Sequence, residues 1–204
     1  TCPVVLIDRL TQCGWCDAVG FDNYLGGRLA AQYLLEGGHK RIGIVTGDVA
    51  ESSAADRRRG FADALEQAGE RLDPSLCVAG DYRFASGYRA ADRIIDGGAT
   101  AVFCCNDVMA LGFRQRMAER GLHVTEDMQV IGYDNILKRF GLGWRMTTVE
   151  QSVGDLAAAC WGMLGGRIDG VVNGGGAGAD AGRPWLAEPQ VKVLTPKLVQ
   201  AACA

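Results

Sequence analysis

Two strand ends hold the residues best able to do chemistry. An apolar run opening at Ala101 stops at Asn106 and Asp107, and another opening at Val130 stops at Tyr133, Asp134 and Asn135. An amide both donates and accepts hydrogen bonds, while a carboxylate accepts from two hydroxyls at once. Open parallel sheets hold ligands beyond the carboxyl ends of their strands, so these positions point to a small-molecule crevice. Cys13-Gly14-Trp15-Cys16 is the one pair among eight cysteines with a motif spacing. Such a pair lowers a thiol pKa when it opens a helix after a strand. Here it reads as loop, with neither a second pair nor a nearby histidine to complete a zinc site. The expectation is incidental thiols in a solvent-side loop, with Cys77, Cys104, Cys105 and Cys160 as small core residues.

The remaining chemistry is sparse. His39 and His123, the only histidines, read as loop and turn residues with no nucleophile or carboxylate at an informative spacing. No G-x-G-x-x-G follows a strand, and there is no P-loop and no G-x-S-x-G. No enzyme, cofactor or metal is therefore expected. The formal charge of -3 and the scattered Lys and Arg give no basic face for nucleic acid. No run of eighteen apolar residues or export signal is visible, so no membrane contact is expected. The hydrophobic content of 48% over 204 residues can bury one large core or two modest ones.

The elements that must position these residues alternate between strand and amphipathic helix, the rhythm of parallel sheets covered on both faces. Strands are expected at 4–7, 18–21, 42–45, 76–79, 101–105 and 130–133, and helices at 25–35, 55–68, 86–95 and 108–120. Glycines at 37–38, 69, 97–98 and 121 supply the helix stops. Beyond Tyr133 the pattern changes to a short extended segment at 146–151, a helix at 152–164 with Leu156, Ala159, Cys160 and Met163 inward, and a final strand at 191–194. The stretch VVNGGGAGADAGRP reads as a surface loop, because a phosphate loop needs a strand before it and a helix after it.

PVVLIDR, VGFDNYLGGRLAAQYLLEGGHKRIGIVTG, RRRGFADAL, GDYRFASGYRAA, AVFCCNDVMALG, VIGYDN and MTTVEQS, in this order and spacing, resemble the effector-binding core of lactose/galactose (LacI/GalR) repressor-type transcription regulators. The resemblance runs from Pro3 to about Val199. It implies an α/β, periplasmic-binding-protein-like fold, with parallel sheets flanked by helices and a sugar or nucleobase between two lobes. It also implies an N-terminally incomplete core. Residues 1–23 would be a remnant of the N-terminal lobe, 24–134 the C-terminal effector-binding lobe, joined by the tail strand, and 135–170 the crossover and N-lobe helix. Residues 171–190 would be the glycine-rich loop and 191–204 the last strand and tail.

The resemblance carries site roles residue by residue. Arg57 matches the arginine that grips the ligand, for which a planar guanidinium suits two parallel hydrogen bonds; the alternative is a solvated charge at a helix start. Asp134 matches the ligand-binding aspartate, against a turn or cap aspartate. Asn106 matches a polar residue near the cleft, and Asp107 is expected to cap the next helix. Tyr82 matches a stacking aromatic, with packing as the alternative. Ser53 matches a small hydroxyl of the effector loop, and Asp22 and Arg9 are further cleft candidates. Tyr133 reads as packing.

Glu51 stands where the purine-binding branch has arginine, and a carboxylate there would repel an anion, so a neutral polyhydroxylated effector is expected. Ser152 replaces a proline common among relatives. The function implied is sugar sensing in a dimeric cytoplasmic repressor that meets DNA through a headpiece absent from this chain. A periplasmic sugar-binding protein of a transport system is the alternative. Eight cysteines without a pairing scheme fit an oxidising compartment poorly.

Overall fold

Short apolar runs rich in Val and Ile, most of them followed by a glycine-ended helix, build two sheets in this computed structural model. It describes residues 2–8, 10, 15–137, 146–173 and 188–201. The chain divides into a larger unit, Asn23–Gln151 with Pro196–Ala204, and a smaller one, Thr1–Asp22 with Ser152–Thr195.

In chain order the elements are β1 (Val5–Ile7), β2 (Asp17–Phe21), α1 (Asn23–Glu36), β3 (Ile42–Thr46), α2 (Ser52–Gln67), β4 (Cys77–Ala79), α3 (Phe84–Asp96), β5 (Ala101–Cys104), α4 (Asp107–Glu119), β6 (Gln129–Asp134), β7 (Thr148–Glu150), α5 (Val153–Asn173), β8 (Val191–Leu194) and β9 (Lys197–Val199). In the larger unit the sheet order is β4-β3-β5-β6-β7-β9, parallel throughout except that β9 runs antiparallel to β7. The chain steps outward from β3 to β4 and then returns past β3 to β5. That reversal makes the gap between the ends of β3 and β5 a topological switch point, where such sheets take ligands. Both β3 and β5 are buried along their whole length, as strands covered on two faces must be. Phe61 and Phe103 stack at 5.1 Å in the core, and Tyr133 lies 6.2 Å from Phe103.

The helices pair as α1 with α2 and α3 with α4, and one device joins both pairs. A Cβ on Gly27 would lie 2.0 Å from the Arg57 carbonyl oxygen, and one on Gly60 would lie 1.9 Å from that of Tyr24. A Cβ on Gly87 would meet the Met109 oxygen at 1.9 Å, and one on Gly112 that of Phe84 at 2.0 Å. In each case the carbonyl belongs to the residue three before the partner helix's own glycine. Backbone therefore rests on backbone, closer than any side chain permits. Gly69 (φ 80°) and Gly121 (φ 72°) end α2 and α4 in the left-handed conformation expected of helix-stop glycines.

The smaller unit holds β1, β2, α5 and β8, with sheet order β1-β2-β8, all parallel. The tail strand expected in the larger lobe thus splits: β8 pairs with β2, and only β9 joins the larger sheet. Helix α5 runs nine residues past the expected stop at Leu164, through Gly165, Gly166 and Gly170. Its last turns are anchored by Arg167, which donates from Nε to Asp17 Oδ2 at 2.8 Å and from Nη2 to Asp17 Oδ1 at 2.6 Å. The Gln190 amide donates to the same carboxylate at 2.8 Å, so one buried aspartate ties β2, α5 and the approach to β8. Cys16 is buried rather than solvent-facing, while Cys13 lies outside the described residues, as do residues 174–187 of the glycine-rich stretch.

Candidate functional site

The carboxyl ends of β3, β5 and β6 gather the polar residues of the larger unit. Beyond β3 comes Gly47, and the ring of Tyr82 lies directly on it; a Cβ there would sit 2.0 Å from Tyr82 Cζ. Asp48 then folds the loop back, accepting from the Ala50 amide at 2.9 Å, and Glu51 precedes α2 at the surface. Ser53 lies in the first turn of α2, and Arg57 one turn further along.

Arg57 is 5% exposed, and its guanidinium is fixed on several sides. Nε donates to Asn23 Oδ1 at 2.8 Å and Nη1 to the Cys105 carbonyl at 2.6 Å. Its central carbon lies 3.7 Å from the centre of the Tyr133 ring, a cation–π contact of the desolvated, stronger kind. Asp134 Oδ1 stands 3.8 Å from Nη1, and the Asp134 side chain keeps 26% exposure. Burial works to lower the Arg57 pKa, but Tyr133 and Asp134 beside it outweigh this and hold it above the ordinary value. The reading as a solvated helix-start charge is therefore wrong for this arginine, whereas the neighbouring Arg59 is exposed.

Asp134, the last residue of β6, and Asn135 after it have φ of 99° and 55°, and Tyr82 has φ 63°. Non-glycine residues in this region cost of order 1–3 kcal/mol each and cluster where function demands them. The strain is held by neighbours. Asn106 donates from Nδ2 to the Tyr82 carbonyl at 2.9 Å, and Asn135 donates to Glu150 Oε1 at 2.9 Å. The Tyr82 hydroxyl is buried and has no hydrogen-bond partner among the described residues. Burial pushes its pKa up, with the Arg57 charge acting the other way and Glu51 adding to the rise.

The helix cap expected of Asp107 falls to Asn106 instead. Asn106 is the cap of α4, its Oδ1 accepting from the Met109 amide at 2.8 Å. With one amide proton on Tyr82, it keeps one further N–H for a ligand. Asp107 instead reaches sideways, accepting from the Ile136 amide at 2.8 Å and the Thr148 hydroxyl at 2.7 Å. Burial pushes its carboxyl up despite these donors. The reason is register: Gly132, where a Cβ would lie 2.2 Å from Asp107 Oδ1, opens the space that lets the carboxylate span from α4 to β7. Cys105 lies on the floor of the site, its thiol raised to about 12 by burial, which makes it inert.

The structure thus brings Arg57, Asp134, Asn106, Tyr82 and Ser53 to one edge of one sheet. Asp22 belongs to the smaller unit, where its amide donates to the Leu194 carbonyl at 2.9 Å. Arg9 lies outside the described residues. Sequence reasoning misses Asn23, Gln151 and Gly47, and takes Tyr133 for packing alone. Asn23 and Gln151 are polar residues just past β2 and β7, so the rule that selects Asn106 could have selected them.

Comparison with known proteins gives a consistent result. A family model described as a periplasmic binding protein-like domain matches residues 31–180. The HTH-type transcriptional repressor PurR of Pasteurella multocida (strain Pm70) is 38% identical over 169 residues, 82% of this chain and 51% of that protein. The chain therefore spans about half the length of the curated relatives it matches. Among solved structures, a LacI family transcriptional regulator from Enterococcus faecium with bound ribose superposes with a TM-score of 0.83 at 27% identity, over 97% of this chain and 69% of that one. A LacI-family regulator from Sanguibacter keddieii is 31% identical with a TM-score of 0.81, over 97% and 70% of the two chains.

Proposed function

Since the chain belongs to the LacI family of periplasmic-binding-protein-like regulators, we propose that it is the effector-binding part of a cytoplasmic, dimeric repressor. In the whole protein, binding of a small neutral sugar would control DNA binding. The reading rests on one observation above others: Arg57 and Asp134 stand 3.8 Å apart at the strand ends, one immobilised and the other still partly open. A guanidinium and a carboxylate side by side offer donors and acceptors to adjacent hydroxyls without a net charge. Glu51 adds a negative charge at the rim, which disfavours an anionic ligand. Tyr82 offers a ring face to an apolar sugar face, and Asn106 one further donor.

The action is binding alone; no bond is broken. A ligand can shift a conformational equilibrium only by its difference in affinity for the two states, so the response to it is set by those contacts. Calorimetric titration with ribose, other pentoses and hexoses tests the reading. One of these neutral sugars should bind saturably, and Asp134→Ala should weaken it by about 1.5–3 kcal/mol, the worth of hydrogen bonds to a charged group. Binding of a purine base with none of the sugars would overturn the ligand class. Unchanged affinity in Asp134→Ala and Arg57→Ala would overturn the site.

A further inference from the structure

The side-chain oxygen of Asn23 is the meeting point of three donors. Arg57 Nε reaches it at 2.8 Å, Gln151 Nε2 at 3.2 Å and the Tyr133 hydroxyl at 3.4 Å. Gln151 Nε2 also lies 3.5 Å from the Tyr133 hydroxyl, closing the group. Asn23 is 7% exposed, so these contacts compete with little water. A carbonyl oxygen has two lone pairs, and the charged donor takes the shortest contact, as charge-assisted bonds do. Asn23 is the first residue after the chain enters the larger unit, and Gln151 the last before the chain leaves it. Gly27 places α1 against the Arg57 carbonyl, and Gly26, whose Cβ would lie 2.1 Å from the Tyr133 hydroxyl, leaves room for that ring. The backbone of Arg57 is thus set by one part of α1 and its side chain by another.

From this we infer that Asn23 is the positioning residue of the site: it orients the Arg57 guanidinium and, through Gln151, ties it to two of the places where the chain crosses between units. Its functional weight rests on the effector site proposed above; its geometry does not. A ligand that draws on Arg57 loads the Asn23 oxygen, and whatever shifts that oxygen is felt at Gln151.

The test needs no ligand. On the 204-residue chain, solvent exchange of the Arg57 Nε proton is followed by nitrogen-15 NMR in wild type, Asn23→Leu and Asn23→Asp. The leucine keeps the volume but removes the acceptor, and exchange should rise by roughly 10- to 100-fold, the worth of a charge-assisted bond. The aspartate keeps an acceptor, and exchange should stay slow. Deuterium uptake at the Gln151 Nε2 amide, read by the same NMR, should rise in Asn23→Leu and in Arg57→Lys, which lacks the Nε donor, but not in Ser53→Ala. Equal Arg57 exchange in the leucine and aspartate variants overturns the inference, as does unchanged uptake at Gln151. If Asn23→Leu does not fold, Arg57→Lys against Ser53→Ala decides by the same uptake. Titration with ribose forms a separate arm. No ribose binding with these exchange results intact would count against the sugar reading alone, whereas absent exchange differences defeat the Asn23 assignment whatever ribose does.

Discussion

Replacing Gly27 by alanine adds a single methyl group in a place closed by backbone. The new carbon would lie 2.0 Å from the Arg57 carbonyl oxygen and 2.9 Å from both the Arg57 carbonyl carbon and the Phe61 amide nitrogen. All three are backbone atoms of α2, so no rotamer change relieves the contact. Ordinary contact begins at 3.4 Å, which obliges the oxygen to retreat by about 1.4 Å from its 2.0 Å approach. Forced overpacking typically costs ~1–3 kcal/mol, and a rigid obstacle places this case at the upper end. Alanine returns about 1 kcal/mol through better helix propensity. The net expectation is a loss of about 2 kcal/mol, read as a lower urea midpoint by circular dichroism. Gly60→Ala meets the Tyr24 oxygen at 1.9 Å and should behave alike. Once one methyl has parted the helices the second finds room, so the double variant should lose clearly less than the two single losses combined. A Gly27→Ala protein as stable as the wild type, or fully additive losses, would refute the reciprocal glycine packing.

Gly162 in α5 has nothing within 4 Å of an added Cβ, so Gly162→Ala should raise the stability of its unit by up to about 1 kcal/mol in thermal melts; a loss would contradict the open setting. The Tyr82 hydroxyl is buried without a partner, and Tyr82→Phe should leave stability unchanged or raise it by about 1 kcal/mol, whereas a comparable loss in urea titration would reveal a bond that matters. The Arg167 hydrogen bonds hold the Asp17 carboxyl below its ordinary 3.8. Because the folded value is the lower one, the resulting stability is present above 3.8 and lost as pH falls through the folded pKa. Acid titration of the urea midpoint should show this loss in the wild type and not in Arg167→Gln.

Much of the larger unit is legible in the sequence because its signals are local. Apolar runs of strand length and helix-stop glycines mark β3, α2, β5, α4 and β6 within a residue or three of the observed bounds. Asn106 and Asp134 stand out for the same reason, as polar groups at the ends of strands, whereas Tyr82 is carried only by the family resemblance. That Asn106 rather than Asp107 caps α4 is not legible, since either side chain can cap a helix. The choice falls to Gly132 and Thr148, which make a place for a carboxylate 41 residues from its hydroxyl partner. The extension of α5 through three glycines is hidden likewise, because Asp17, 150 residues from Arg167, supplies the anchor.

Periodicity, punctuation and motif spacing along the chain are enough to dictate the kind and order of the elements, the parallel α/β class, the resemblance to LacI-type regulators and the strand ends where a ligand would sit. Which polar groups face one another is a property of the folded chain alone. Arg57 reaches Asn23, Cys105 and Tyr133 because glycines let the α1 and α2 backbones touch, and it meets Asp134 because β6 ends in left-handed residues. Hydrogen bonds act over about 3 Å, and no spacing rule in one dimension states which distant residues come that close.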